Sequence, residues 1–95
     1  MGMIETTVDI PAEHQANVFG QFDAFAKKIE RTLHVTLIAR DDTVKILGEE
    51  AVALQAKSVL EQLTALARRG NQIQEQNVNY TLALSMEQSE GKVLE

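Results

Sequence analysis

A chain of 95 residues can fold around one hydrophobic core of ordinary size and is too short for two. Its 44% apolar share is that of a packed globular protein, with no apolar run near the roughly 18 residues that span a bilayer, and the lack of cysteine removes disulfides, thiolate metal sites and cysteine nucleophiles. The net charge of −5, from 9 basic and 14 acidic side chains, excludes a broadly cationic nucleic-acid binder, because affinity for phosphate scales with the cations presented.

Ile4, Thr6, Val8 and Ile10 alternate with Glu5, Thr7 and Asp9, the two-residue period of a strand with one wet face. Pro11 has no N–H to give a ladder and suits the first turn of a helix, so a short helix is expected from Ala12 to Phe19, stopped by Gly20. Phe22, Phe25, Ala26, Ile29 and Leu33 then fall at i, i+3, i+4, i+7 and i+11, predicting an amphipathic helix with Lys27, Lys28, Glu30 and Arg31 on its other side. Val35, Leu37 and Ala39 alternate with Thr36, Ile38 and Arg40; Asp41 and Asp42 follow, then Val44 and Ile46 alternate with Thr43 and Lys45. These two β-branched runs around turn-forming residues predict a hairpin.

The strongest helical stripe comes next: Val52, Ala56, Val59, Leu60, Leu63, Leu66 and Ala67, with Glu49 and Glu50 before it, Arg68 and Arg69 at its end and Gly70 beyond. Acid first, base last and glycine after is the arrangement that the helix dipole and the C-terminal geometry favour. Val78, Leu82 and Met86, four apart, predict a weaker final helix; Ser89–Glu95 has no period and is expected to be a linker or tail after a single domain spanning 1–88. The order β-α-α-β-β-α plus one helix predicts an α+β two-layer sandwich, a three-stranded sheet covered by amphipathic helices.

Charge is unevenly spread along these elements. Residues 1–26 carry −4, residues 27–40 carry +3, residues 41–70 carry −1 and residues 71–95 carry −3. The basic stretch is Lys27, Lys28, Arg31 and Arg40 against Glu30, and it reads either as a solvated helix face or as one local contact surface for an anion.

The segment Val18-Phe19-Gly20-Gln21-Phe22-Asp23-Ala24-Phe25-Ala26-Lys27-Lys28-Ile29-Glu30, followed by the hairpin, resembles the KH domain of the first topological type, which shares this element order. That pattern has a G-x-x-G loop between two helices, apolar residues six and nine positions after the first Gly, and a strand pair ending near a Gly. Ala26, Ile29 and Gly48 stand at those places, with Ala56 inside the last helix, and the match runs from about Ile4 to Gly70. More narrowly, Phe19-Gly20, Asp23, Ile29-Glu30, the hairpin and a Leu-rich helix ending at Gly70 are similar to the N-terminal region of PhoH-like ATPases, a bacterial family related to phosphate starvation. In that family an extra helix, here around Val78 to Met86, leads towards the ATPase domain.

The resemblance implies a KH-like accessory domain that holds single-stranded RNA weakly for its own ATPase, with oligomerisation through that ATPase and no membrane partner. ATP and Mg²⁺ would belong to the ATPase domain and no cofactor to this chain. The nearest approach to G-x-x-x-x-G-K-[ST] is Gly91-Lys92-Val93, with Met86 in place of the first Gly and no terminal hydroxyl, so neither the tight turn nor the Mg²⁺ ligand of a phosphate-binding loop is present. The nucleic-acid-binding residues implied are Gly20, Gln21, Lys27, Lys28, Arg31 and Arg40, with Ile38 and Arg40 near the groove.

Asp23 stands where the second loop glycine would be. A carboxylate ~4 Å from a phosphate costs up to about 4 kcal/mol at an effective dielectric near 20, before screening. Its other reading is an N-cap for the helix that follows, worth ~1 kcal/mol. Phe22 falls on the helix stripe and reads as core, with base stacking as the alternative. The acidic termini and Asp23 together support a second function, a protein-docking, oligomerisation or regulatory module of the same ATPase.

Catalysis has little to work with. His14 lies near Asp9 and Glu13 at a helix start and His34 at a helix-to-strand junction, with no paired acid, Ser or Cys constellation. Asn79-Tyr80-Thr81 matches a glycosylation sequon but falls in a predicted helix. No basic-then-apolar signal segment opens the sequence, so the expected location is the cytoplasm.

Overall fold

The computed structural model describes residues 2–94, with side chains over 2–87. Its elements in chain order are β1 (Met3–Asp9), α1 (Ala12–Phe19), a single 3-10 turn (Gln21–Asp23), α2 (Ala24–Leu33), β2 (Thr36–Arg40), β3 (Thr43–Glu49), α3 (Glu50–Arg68) and α4 (Glu75–Leu94). The three strands form one antiparallel sheet in the order β1-β3-β2, so β3 is central and the first two strands are both edges. The expected α+β class and the β-α-α-β-β-α order with one further helix are what the chain adopts.

Alternation along the strands sorts the sheet into two faces. Val8 pairs across with Val44 and Leu37 with Ile46, and these residues face the helices; Glu5, Thr7, Lys45, Thr36, Ile38 and Arg40 fall on the other face. Beneath the sheet lies α3, which packs on β1 and β3, with α1 and α2 beside it and α4 against α3 and α2. Ala53 and Ala56 are fully buried on α3, and such small residues let the helix approach the sheet closely; Ile10, Ile29, Ile46, Leu60 and Leu63 fill the space around them. Each of those large side chains contributes roughly 1.5–3 kcal/mol by leaving water.

The helix ends are satisfied in ways that involve distant residues. Pro11 precedes α1 and offers no side-chain acceptor; instead the Ala12 N–H donates to Asp42 Oδ1 at 2.8 Å and the Ile10 N–H to the Asp42 carbonyl at 3.0 Å, so the hairpin turn caps α1. At the end of α3, the Asn71 N–H donates to the Leu66 carbonyl and the Gly70 N–H to the Ala67 carbonyl, the Schellman pair, with Gly70 at φ 93°. Asn17 of α1 clasps the α3–α4 connection, donating to the Asn71 carbonyl at 2.9 Å and accepting from the Ile73 N–H at 2.8 Å.

Two expectations about the final helix change. Its inward stripe is Val78, Thr81, Leu82 and Ser85, while Met86 is 42% exposed, because the contact with α3 follows the 3- and 4-residue spacing and not a strict four. The helix also runs on to Leu94, through the stretch expected to be an aperiodic tail.

Candidate nucleic-acid interface

The junction between α1 and α2 is built on Gly20, whose φ 82° and ψ 170° lie in a region open in practice to glycine alone. A Cβ placed there would meet Phe25 Cδ2 at 2.6 Å, so the ring closes directly over the backbone. The Asp23 N–H then donates to the Gly20 carbonyl at 3.0 Å, tying off the turn. Phe22 (φ 57°, ψ 29°) and Asp23 (φ 59°, ψ 27°) are both left-handed. The position of the second loop glycine therefore keeps the backbone conformation that glycine favours, with aspartate, one of the few residues that tolerate it, in its place.

This turn corrects two expectations. Phe22 is not on the α2 stripe: the α-helix begins at Ala24, and the left-handed backbone turns the ring outward, 86% exposed. Asp23 does occupy the residue before α2, but its carboxylate makes no capping hydrogen bond, since an N-cap acceptor needs extended backbone and Asp23 is left-handed.

Between α2 and β2 lies a groove of about 150 Å³. Phe19, Ala26 and Leu37 floor it, and Asp23, Lys27 and Glu30 line its walls, with Ala39 at the strand. The Leu37 N–H donates to Glu30 Oε2 at 2.8 Å, so this amide points away from β3 and into the groove. Because main-chain groups alternate sides along an antiparallel strand, the Ala39 N–H and C=O turn to the same open edge. The groove thus offers a small apolar floor, one ammonium, two carboxylates and a stretch of strand edge.

A second depression, of about 450 Å³, lies across α2, lined by Phe22, Ala24, Phe25, Lys28 and Arg31, with Glu75 of α4 and Lys27 at its rim. Lys27 borders both hollows. Lys28 Nζ stands 3.4 Å from Glu75 Oε2.

The sequence-derived residues are therefore split. Gly20, Gln21 and Lys27 cluster at the turn and groove, and Lys28 and Arg31 line the second hollow. Ile38 and Arg40 do not border the groove: they alternate onto the outer face of the sheet, and it is Leu37 and Ala39 that face it. That exchange is readable from the two-residue period, which sets Leu37 and Ala39 with Val35. Glu30 stands in the sequence only as part of the family pattern and of the polar side of α2; its bond to the Leu37 N–H depends on β2 passing beside it.

His14 lies 3.6 Å from the Glu13 carboxylate at the surface, and His34 closes α2 in a left-handed conformation, φ 58°. Among the described residues no three His, Asp or Glu side chains gather as metal ligands, and no helix is long and apolar enough to cross a membrane.

No protein-family model matches the chain. Among curated proteins it is 32% identical over 69 residues to a PhoH-like protein of Bacillus subtilis, a match over 73% of this chain and 22% of that protein. It is 26% identical over 81 residues to a PhoH-like protein of Mycobacterium tuberculosis, covering 85% of this chain and 23% of the relative. The chain thus spans less than a quarter of the length of these relatives. A crystal structure of a protein of unknown function from Aeropyrum pernix superposes on 99% of the chain and 52% of its own length, with a TM-score of 0.73 and 16% identity, a likeness of fold.

Proposed function

The chain belongs to the PhoH-like family as a segment under a quarter of its relatives' length, and from that premise we propose that it is their N-terminal KH-like accessory domain, a weak, non-catalytic contact for single-stranded RNA. The observation that carries this reading is the groove beside the Gly20 turn, which Lys27 and the outward-facing edge of β2 at Ala39 both line. A splayed base can pair its polar edge with strand main chain while its phosphate meets a lysine and the backbone of a glycine turn. Asp23 and Glu30 keep the affinity low, and the contact is sequence-tolerant and salt-sensitive. ATP, Mg²⁺ and hydrolysis fall to the ATPase part of the parent protein, and the domain works beside it in the cytoplasm.

Titrating the isotopically labelled chain with a short single-stranded RNA at low salt tests the reading by NMR. Amide shifts are expected at Gly20, Lys27, Leu37 and Ala39; spectra unchanged up to millimolar RNA refute it.

A second reading, a docking or oligomerisation module for the parent ATPase, is favoured by the same two carboxylates, which disfavour phosphate in the groove. It requires the chain to self-associate or to alter the parent's ATPase rate, and analytical ultracentrifugation together with deletion from the parent decides it.

A further inference from the structure

We propose that the depression between Phe22 and the start of α4 is a second nucleotide subsite: a base stacks on the exposed Phe22 ring and the adjoining phosphate lies on Arg31 and Lys28. The proposal rests on the RNA reading above and extends its footprint from the groove across α2.

Three observations converge on it. Phe22 is 86% exposed on a left-handed backbone, so the fold bears both a strained residue and a wet aromatic ring at one position. Neither helps stability, and a ring that only filled space would sit inward. Around it, Lys27, Lys28 and Arg31 face one carboxylate, Glu75, the reverse of the balance in the groove, where two carboxylates face one lysine. In a chain of net charge −5 this is a local cationic patch with a flat apolar platform, the pairing that successive bases and phosphates of a single strand require. Finally, Lys27 borders both hollows, so a strand leaving the groove passes its ammonium before reaching Phe22.

Glu75 occupies the phosphate's place in the unbound domain. Its pair with Lys28, at 3.4 Å and with Glu75 70% exposed, is a surface contact of small worth that a phosphodiester can displace. Removing the Glu75 charge therefore strengthens binding, opposite in sign to the loss of a merely structural contact.

The test uses fluorescence anisotropy of a short labelled oligouridine, and of an abasic oligomer of the same length, at low salt. Phe22→Ala and Phe22→Leu should each weaken oligouridine binding by about 5- to 150-fold, the range for one lost base stack. Phe22→Trp should restore it with quenching of the indole emission. The abasic oligomer should not distinguish Phe22→Ala from the parent, and Glu75→Gln should bind oligouridine several-fold more tightly. If Phe22→Ala and Phe22→Leu bind within twofold of the parent while a Lys27→Ala change weakens binding, the second subsite is wrong and the RNA reading stands. If the parent itself fails to bind, both fall. Unchanged RNA affinity with loss of self-association in Phe22→Ala would reassign the ring to a protein contact and overturn the proposal.

Discussion

Replacing Gly20 by alanine tests whether the turn between α1 and α2 is held by backbone shape and by the ring above it. Two costs arise. At φ 82° and ψ 170° an L-residue is forced into a sparsely populated region, at about 1–3 kcal/mol. The new methyl would stand 2.6 Å from Phe25 Cδ2 and 2.7 Å from Cγ, and moving a half-buried ring that packs on the core costs about 1–3 kcal/mol more. At 0.05–0.15 kcal/mol per residue, a domain of this size holds on the order of 5–14 kcal/mol in all. With roughly 4–8 °C of melting temperature per kcal/mol, Gly20→Ala should melt at least about 8 °C below the parent by far-UV circular dichroism. Gly70→Ala supplies the comparison: its φ is 93° but a Cβ there meets nothing within 4 Å, so only the left-handed penalty of about 1–2 kcal/mol applies. In a Phe25→Ala background the clash disappears and the Gly20→Ala penalty should shrink by about 1–3 kcal/mol, read from urea denaturation as a double-mutant cycle. A Gly20→Ala cost no greater than that of Gly70→Ala, or one unaltered by Phe25→Ala, refutes the reasoning.

Asp42→Ala removes the acceptor for the Ala12 N–H and should cost about 1 kcal/mol in chemical denaturation, with Asp42→Asn retaining most of it. Asn17→Ala breaks both bonds to the α3–α4 connection and should cost about 1–2 kcal/mol, with faster amide exchange at Ile73 as the local sign. Asp23→Gly keeps the left-handed turn while removing a carboxylate from the groove wall, so RNA affinity measured by anisotropy at low salt should rise up to about tenfold with little change in melting temperature.

How much of the candidate site is legible in the chain differs residue by residue. Gly20 is legible as a helix stop, because glycine weakens a helix interior and its left-handed freedom suits the residue just past a helix end. Lys27, Lys28 and Arg31 are legible as one exposed helix side. Phe22 is not, because the apolar spacing of α2 extends backward through it, and spacing carries no information about left-handed backbone just ahead of the helix. Asp23 is legible as the residue at the head of α2, but its capping bond depends on backbone dihedrals that residue type does not determine. The KH resemblance implies Arg40 near the groove, whereas the alternation of β2 carries it to the opposite face of the sheet.

Local pattern decided the elements: Pro11 and Gly20 bound α1 at Ala12 and Phe19, and the long α3 and the hairpin around Asp41 and Asp42 follow from which residues must leave water together. Such patterns act through neighbours three or four residues apart on a helix, or two on a strand, and are complete in the chain itself. What required the folded molecule were the meetings of distant segments: Asp42 capping α1, Asn17 clasping the turn before α4, Glu30 occupying the Leu37 amide and Glu75 holding Lys28. The first three satisfy main-chain groups at a helix start, a connection and a strand edge, the last is an exposed ion pair, and in each the partner is chosen by the packing of layers, which no short stretch of sequence encodes.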